Sequence, residues 1–241
     1  MIIAIDGPAG SGKSTIAKLI AEDLGLVYLD TGAMYRLVTL KALNDGILGN
    51  LDKIIKMLDN LNIDIKENGF YLDDIDVSEE IRKPVVSENV SDIAAIREVR
   101  EKMVDLQRKF SESKNVILDG RDIGTVVFPN ADVKIFLVAD AKERANRRYK
   151  ELVAKGENVR IEEIYENILK RDEIDSTRKE SPLKKADNAI EVDTTSKNIV
   201  YLLLFLSFFY CHRLKCVFIY LTFILNTGRI CAASVLRIDE T

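Results

Sequence analysis

The chain has 241 residues, of which 31% are charged and 47% hydrophobic, and its formal net charge at pH 7 is −4. These values predict one large domain, or one domain with an insert, and exclude the strongly basic composition typical of proteins that bind nucleic acids over a broad surface. All 3 cysteines and the 1 histidine follow residue 200, which excludes a disulfide framework, a zinc site and a cysteine or histidine nucleophile from residues 1–200.

The first elements alternate strand and helix. Residues 2–5 form a short apolar run that predicts a strand buried on both faces, and the amino terminus lacks the basic stretch of a signal peptide. After a glycine-rich turn, residues 15–24 carry apolar side chains at helical spacing and end at Gly25, a residue typical of a helix carboxyl end. Residues 26–30 predict a second strand, and Thr31 is predicted to cap the helix that follows.

The middle of the chain changes character and then returns to the first pattern. Residues 51–61 predict a helix, and residues 63–66 alternate with period two before a hairpin signal at 67–69. With two further short strands, at 70–72 and 75–77, they predict a small antiparallel insert. The remaining predicted elements are helices at 93–110, 140–155 and 161–175 and strands at 116–119, 133–138 and 189–193. Five strands separated by helices predict a doubly wound parallel sheet in an α/β fold.

Residues 7–14 read Gly-Pro-Ala-Gly-Ser-Gly-Lys-Ser and match the pattern G-x-x-x-x-G-K-S/T between a predicted strand and a predicted helix. Such glycines let backbone amides turn inward around a phosphate, and the helix amino terminus adds a positive partial charge. Lys13 would contact the β- and γ-phosphates of ATP, whereas Ser14 and the strand-terminal Asp119 would be oxygen ligands for Mg²⁺. The predicted ATP-binding residues are Gly7, Pro8, Ala9, Gly10, Ser11, Gly12, Lys13, Ser14 and Thr15.

Three further segments carry a resemblance. They are Asp-Thr-Gly-Ala-Met-Tyr-Arg at 30–36, Asp-Gly-Arg-Asp-Ile-Gly-Thr-Val-Val-Phe-Pro at 119–129 and Arg-Asp-Glu-Ile-Asp-Ser-Thr-Arg at 171–178. With residues 5–14 they closely resemble the bacterial cytidylate kinases, from residue 1 to about 198. The resemblance implies a P-loop kinase core with a five-stranded parallel sheet, a small antiparallel insert that binds the nucleoside monophosphate at about 37–95, and a mobile lid at about 143–160.

The resemblance also implies roles for individual residues. The residues it places around cytosine are Ser91, Arg100, Asp122 and Arg178. Arg171 and Asp175 would contact the sugar hydroxyls. The residues in or beside the lid are Arg144, Arg147, Arg148 and Arg160. The catalytic set it implies is Lys13, Arg36, Arg121 and Arg147, with Arg36 and Arg121 on the acceptor phosphate.

Elementary chemistry agrees with these roles. One guanidinium group can donate two parallel hydrogen bonds to two oxygens of a phosphate. A carboxylate such as Asp122 can accept a hydrogen bond from the exocyclic amine of cytosine but repels the carbonyl oxygen of uracil. An acceptor phosphate is already a nucleophile near pH 7, so no histidine base is required. We therefore predict transfer of the γ-phosphoryl group of ATP to CMP or dCMP by Mg²⁺-assisted positioning and charge neutralisation, with lid closure excluding water.

Alternative functions remain open at this point. Another acceptor, such as UMP, AMP or shikimate, would suit the same P-loop, although residues 120–122 favour CMP. A P-loop switch GTPase is disfavoured because residues 1–200 lack the N-K-x-D signature of guanine recognition. A membrane-tethered or inactive protein is indicated only by the carboxyl-terminal tail. We expect a cytoplasmic monomer that binds neither nucleic acid nor membranes.

The tail departs from the expected pattern. Residues 1–200 are assigned to the kinase domain and residues 201–241 to an atypical hydrophobic tail. The apolar stretch at 201–225 is long enough to span a bilayer, but Arg213 and Lys215 near its midpoint would cost about 2.5–3.5 kcal/mol each at the bilayer centre. A membrane anchor, a helix packed on the kinase domain and a carboxyl terminus altered by frameshift or read-through remain three alternatives.

Overall fold

A computed structural model describes residues 1–66 and 69–196 of the chain. The strands of this part are β1 (Ile2–Asp6), β2 (Val27–Asp30), β3 (Ile63–Lys66), β4 (Gly69–Leu72), β5 (Ile75–Asp76), β6 (Val116–Gly120), β7 (Val133–Val138) and β8 (Ile190–Asp193). The α-helices are α1 (Lys13–Leu24), α2 (Thr31–Asn44), α3 (Leu51–Asp59), α4 (Pro84–Ala94), α5 (Arg97–Ser111), α6 (Ala141–Ala154) and α7 (Ile161–Thr177). The predicted tail lies outside the described residues.

The main sheet has five strands in the order β2-β6-β1-β7-β8, and every neighbouring pair is parallel. Strand β6 is buried along its whole length, and β1 is buried from its second residue onward. This agrees with the near-continuous apolar runs from which both strands were predicted. The α/β fold with a five-stranded parallel sheet is confirmed, and its carboxyl edge gathers the ends of β1, β2 and β6.

Helix boundaries follow local backbone geometry. Helix α1 starts at Lys13, two residues before the predicted start, because Gly12 takes the left-handed conformation (φ 91°) directly before it. It ends at Gly25, as predicted, where the glycine N–H donates to the carbonyl of Ala21. The prediction that Thr31 caps α2 is wrong. The Asp30 side chain accepts from the Ala33 amide at 2.9 Å, and Thr31 is the first helical residue.

The insert is a three-stranded antiparallel sheet in the order β3-β4-β5, as predicted. The predicted single helix over 93–110 is wrong, because α4 ends at Ala94 and α5 starts at Arg97. Between them Ile96 is extended (φ −72°, ψ 125°), and its partly buried side chain packs against the core. The charged helices α6 and α7 lie where they were predicted. No helix within residues 1–66 and 69–196 is long and apolar enough to cross a membrane.

Candidate active site

The glycine-rich loop joins β1 to α1 at the carboxyl edge of the sheet. Gly7 has φ 149° and lies so close to β7 that a Cβ atom would come within 2.2 Å of the Leu137 carbonyl oxygen. The Lys13 ammonium folds over the loop and donates to the carbonyl of Pro8 at 2.6 Å and to the Ser11 hydroxyl at 3.4 Å. Burial lowers the pKa of Lys13 well below its usual value, and the charge of Arg121 adds to this shift. A phosphate between them would relieve this repulsion, as the loop motif predicts.

A hydroxyl–carboxylate group lies beside this loop. The Ser14 hydroxyl donates to Oδ2 of Asp119 at 2.8 Å, and the Tyr28 hydroxyl donates to Oδ1 at 2.8 Å. Burial raises the pKa of Asp119 to about 6, and the neighbouring Asp30 carboxylate contributes to the shift. Two hard oxygen donors at hydrogen-bond distance, one from a buried carboxylate, fit the ligand preference of Mg²⁺. The two residues predicted as Mg²⁺ ligands, Ser14 and Asp119, therefore lie within hydrogen-bond distance of each other, and their role as ligands stays a prediction.

Positive charges converge next to the Ser14–Asp119 pair. Burial lowers the pKa of Arg36, and repulsion from Arg82, Arg121 and Arg148 adds to the effect. Burial likewise lowers the pKa of Arg171 to about 10, with repulsion from Arg121 and Arg36. The Nε atoms of Arg36 and Arg171 are buried and have no hydrogen-bond partner among the described residues. Half-buried guanidinium groups that repel one another and retain unused buried donors indicate an anion-binding site. We call Arg36, Arg121, Arg148 and Arg171 the arginine cluster.

Asp175 connects the arginine cluster to the rest of the site. Its carboxylate accepts from Nε of Arg121 at 2.8 Å and lies 3.6 Å from Arg178. Burial opposes ionisation of Asp175, but Arg121 and Arg178 outweigh it and hold its pKa below the usual value. Burial similarly opposes the charge of Arg121, and Asp175 outweighs it and raises the Arg121 pKa. Asp175 therefore fixes the direction of Arg121 while remaining charged at neutral pH.

A second buried polar group lies on the other side of Asp175. Arg100 donates to Oδ2 of Asp122 and to the Ala94 carbonyl, the latter at 3.1 Å, and its guanidinium stacks 5.2 Å from the centre of the Tyr35 ring. Arg178 lies 3.8 Å from Oδ1 of Asp122. Asp122 thus faces two arginines in a buried ion-pair network, where its carboxylate is held in one direction. Ser91 is buried on α4, close in sequence to the Ala94 carbonyl.

The arginines of α6 have different interaction partners. Arg144 is buried, pairs with Asp172 at 2.6 Å and donates to the carbonyl of Ala9 at 3.0 Å. It therefore supports the glycine-rich loop of residues 7–14, which we call the phosphate loop. Arg147 donates to Thr194 and to Glu143, at 3.2 Å and 3.0 Å. It is Arg148, one residue later, whose charge acts on Arg36 and Arg171. Arg160 is exposed, before the start of α7.

Sequence reasoning missed three participants. Asp6 accepts backbone amides of the segment that follows Asp122, Tyr28 holds the Asp119 carboxylate, and Arg82 adds its charge to that at Arg36. Tyr28 could have been noticed as a tyrosine in a short predicted strand two residues before Asp30, because a phenol that is partly removed from water usually finds a hydrogen-bond partner. Asp6 and Arg82 gave no comparable signal, since each depends on a partner far away in sequence.

Comparison with known proteins places these groups in a family. A family model described as cytidylate kinase matches residues 3–203. The chain belongs to the cytidylate kinase family. A relative from Fusobacterium nucleatum, named cytidylate kinase, is 58% identical over 86% of this chain and 95% of its own length. One from Clostridioides difficile with the same name is 56% identical over 83% of this chain and 93% of its own.

A solved structure of shikimate kinase from Acinetobacter baumannii aligns with 88% of this chain and 93% of its own, at 14% identity and a TM-score of 0.42. That distant likeness has no bearing on the acceptor. The predicted resemblance to cytidylate kinases is confirmed by the family match and by the relatives.

The raised pKa of Asp119 gives a prediction about stability. Between about pH 4 and pH 6 the folded protein retains a proton that the unfolded chain, with an ordinary carboxyl pKa of 3.8, has released. Asp119 therefore destabilises the fold progressively as pH rises through this window. We expect the unfolding free energy of Asp119→Asn to be higher than that of the parent protein by about 1–3 kcal/mol at pH 7 and equal to it near pH 4.

Urea unfolding in EDTA without nucleotide, at pH 4, 5, 6 and 7, measures this difference. Asp105→Asn, on the exposed side of α5, serves as the matched control and should show no pH-dependent gain. An Asp119→Asn gain that is the same at pH 4 and pH 7 would contradict the assignment to ionisation.

Proposed function

We propose that this protein transfers the γ-phosphoryl group of ATP to CMP or dCMP, giving ADP and CDP or dCDP. The observation that carries the proposal is the close succession of three groups along the carboxyl edge of the sheet. These are the phosphate loop with Lys13, the arginine cluster, and the buried Asp122 between Arg100 and Arg178. Each group matches one part of the reaction: the donor phosphates, the acceptor phosphate with the group transferred to it, and the acceptor base.

On the donor side, the loop residues 7–15 would bind ATP, and Ser14 with Asp119 would hold Mg²⁺. When bound, Mg²⁺ would neutralise charge on the phosphate oxygens. The Lys13 ammonium would leave the Pro8 carbonyl for the phosphates. Its lowered pKa supports this, because an anion would stabilise the charged form.

On the acceptor side, Arg36 and Arg121 would bind the phosphate of the monophosphate. Charge build-up on the transferred group would be met by Lys13 and by arginines from both sides, and no proton acceptor is required. Arg147 was predicted to be catalytic and remains a proposal. It would have to exchange its bonds to Thr194 and Glu143 for the phosphates, whereas Arg148 already adds to the field of the cluster.

Base and sugar recognition would come from the groups around Asp175. Asp122 would accept from the cytosine amine, with Ser91, Arg100 and Arg178 around the ring, and Arg171 with Asp175 would contact the sugar hydroxyls. A buried carboxylate already paired with two arginines is held in place before the base arrives. Uracil would present a carbonyl oxygen to this carboxylate, and two acceptors cannot form a hydrogen bond. Discrimination between cytosine and uracil would therefore rest on the buried acceptor that uracil leaves without a donor.

The remaining proposals concern organisation. Residues 37–95 would form the acceptor-binding insert, residues 143–160 would form a lid that closes on bound nucleotides, and the protein would act as a cytoplasmic monomer. The antiparallel sheet of the insert and the break between α6 and α7 support the first two boundaries.

The test is coupled ADP release by the full-length protein with ATP, Mg²⁺ and one acceptor at a time. We expect turnover with CMP and dCMP, and kcat/KM for UMP and AMP lower by about 100-fold or more. Faster turnover with UMP, AMP or shikimate would overturn the acceptor assignment. ATP hydrolysis without acceptor as fast as the transfer would overturn the role of closure in excluding water.

A further inference from the structure

Asp6 is the last residue of β1 and directly precedes the phosphate loop, yet its side chain points to the acceptor side. It is 4% exposed, and each of its carboxylate oxygens accepts one backbone amide. Oδ1 accepts from Ile123 at 2.8 Å and Oδ2 from Gly124 at 2.7 Å. These amides directly follow Asp122, at the start of a single π-helical turn over Ile123–Val127.

Asp122 occupies the position before this turn where an aspartate normally caps the helix with its own side chain. Here it makes no such bond. Its backbone carbonyl accepts from Val126 at 2.9 Å and from Val127 at 3.2 Å, so the turn itself is formed. Its carboxylate is directed to Arg100 and Arg178 instead. The Gly124 amide, one that a capping side chain would take, is already taken by Asp6.

We propose that Asp6 is a positioning residue for base recognition: by capping the turn after Asp122, it leaves the Asp122 carboxylate available to the acceptor base. This inference rests on the proposed function, in which Asp122 accepts from the cytosine amine. Its effect on the base would pass through Asp122, whereas its charge also acts on Lys13 of the phosphate loop, which is why KM for ATP is measured beside KM for CMP.

The surrounding structure holds this arrangement in place. Strands β1 and β6 pair in parallel with Asp6 opposite Gly120, so the sheet register brings Asp6 next to the segment after β6. A Cβ atom on Gly124 would lie 3.3 Å from Oδ2 of Asp6 and 3.2 Å from Cδ of Lys134, which fits a position where a glycine amide must approach closely. Removing the Asp6 carboxylate would free two buried amides, and Asp122 stands at the capping position from which a side chain can turn back to the Gly124 amide.

The experiment compares Asp6→Ala, Asp6→Asn, Asp122→Asn and the double variant Asp6→Ala/Asp122→Asn with the parent protein. Steady-state kinetics give kcat and KM for CMP and UMP at saturating ATP, and KM for ATP at saturating CMP. We expect Asp6→Ala to reduce the CMP-over-UMP ratio of kcat/KM by at least about tenfold, mainly through KM for CMP. Asp6→Asn retains one acceptor oxygen and should show a smaller loss.

The double variant tests whether Asp6 acts on base recognition through Asp122. If Asp6 acts through Asp122, the double variant discriminates no worse than Asp122→Asn alone. Unchanged discrimination in Asp6→Ala, or a rise in KM for ATP as large as that for CMP, would overturn the proposal. Should Asp6→Ala fail to fold by thermal melting, Asp6→Asn carries the same comparison. A parent protein that does not prefer CMP over UMP would refute the proposed function itself, and the inference with it.

Discussion

Arg36→Met is expected to lower kcat/KM for CMP by about 1000-fold while raising the melting temperature of the nucleotide-free protein by about 2–4 °C. Activity is expected to fall because the substitution removes the guanidinium proposed to bind the acceptor phosphate. Stability rises because Arg36 is half-buried, its buried Nε has no partner among the described residues, and repulsion from Arg82, Arg121 and Arg148 disfavours its charge. Methionine has nearly the same length and keeps the packing without the charge.

The two effects are measured by coupled ADP release and by thermal unfolding without nucleotide. Arg97→Met provides the matched control, because Arg97 is exposed on α5 and its ion pair within the described residues is with the neighbouring Glu101. The control should retain parental turnover and should not become more stable. A loss of stability in Arg36→Met would mean that the arginine cluster is satisfied by contacts within the fold and is not held ready for an anion.

Asp122→Asn should abolish most of the preference for cytosine. We expect kcat/KM for CMP to fall by about 100-fold and the CMP-over-UMP ratio to fall at least as much, since an amide can face either base. The substitution also removes a negative charge buried between Arg100 and Arg178. Breaking a buried ion pair in this way should cost about 2–4 kcal/mol of unfolding free energy.

Urea unfolding and acceptor kinetics on the same preparations separate the two effects. Asp105→Asn, exposed on α5, controls for the loss of an aspartate elsewhere and should change neither quantity. If Asp122→Asn lowers turnover with CMP and UMP equally, Asp122 supports the fold around Arg100 without reading the base.

The phosphate loop could be predicted residue by residue because its function is local. Its glycines, Lys13 and Ser14 are consecutive, and the buried strand and amphipathic helix on either side can be recognised from their own periodicity. The arginine cluster is different. Arg36, Arg121 and Arg171 come together only when β6, α2 and α7 are placed, so periodicity and spacing could not connect them, and only the resemblance to a family did.

The errors have equally specific causes. Asp30 and Thr31 are both residue types that commonly cap helices. Which of them caps α2 depends on where the backbone becomes helical and therefore on which free amide lies within reach, so residue propensity could not decide between them. The break between α4 and α5 has neither glycine nor proline, and the apolar spacing continues through it, so one helix was predicted where there are two. Tyr28 and Asp6 were missed because their partners lie 91 and 117 residues away, as seen for the Tyr28–Asp119 and Asp6–Ile123 bonds.

The first residue of α2 has a consequence for how such an enzyme can move. The Thr31 hydroxyl donates to the backbone carbonyl of Asp119 at 2.7 Å, which ties the helix bearing Arg36 to the strand bearing the metal-ligand candidate. If Arg36 and Asp119 hold the acceptor and the metal as proposed, this bond would connect the two anchor points directly and would set the distance between them before either nucleotide binds. Opening and closing would then regulate entry, exit, the exclusion of water and the surrounding charge, but not the separation of the two anchor points. Substitutions in the mobile segments should therefore alter the rate of product release, while the distance between the donor and acceptor phosphates stays constant.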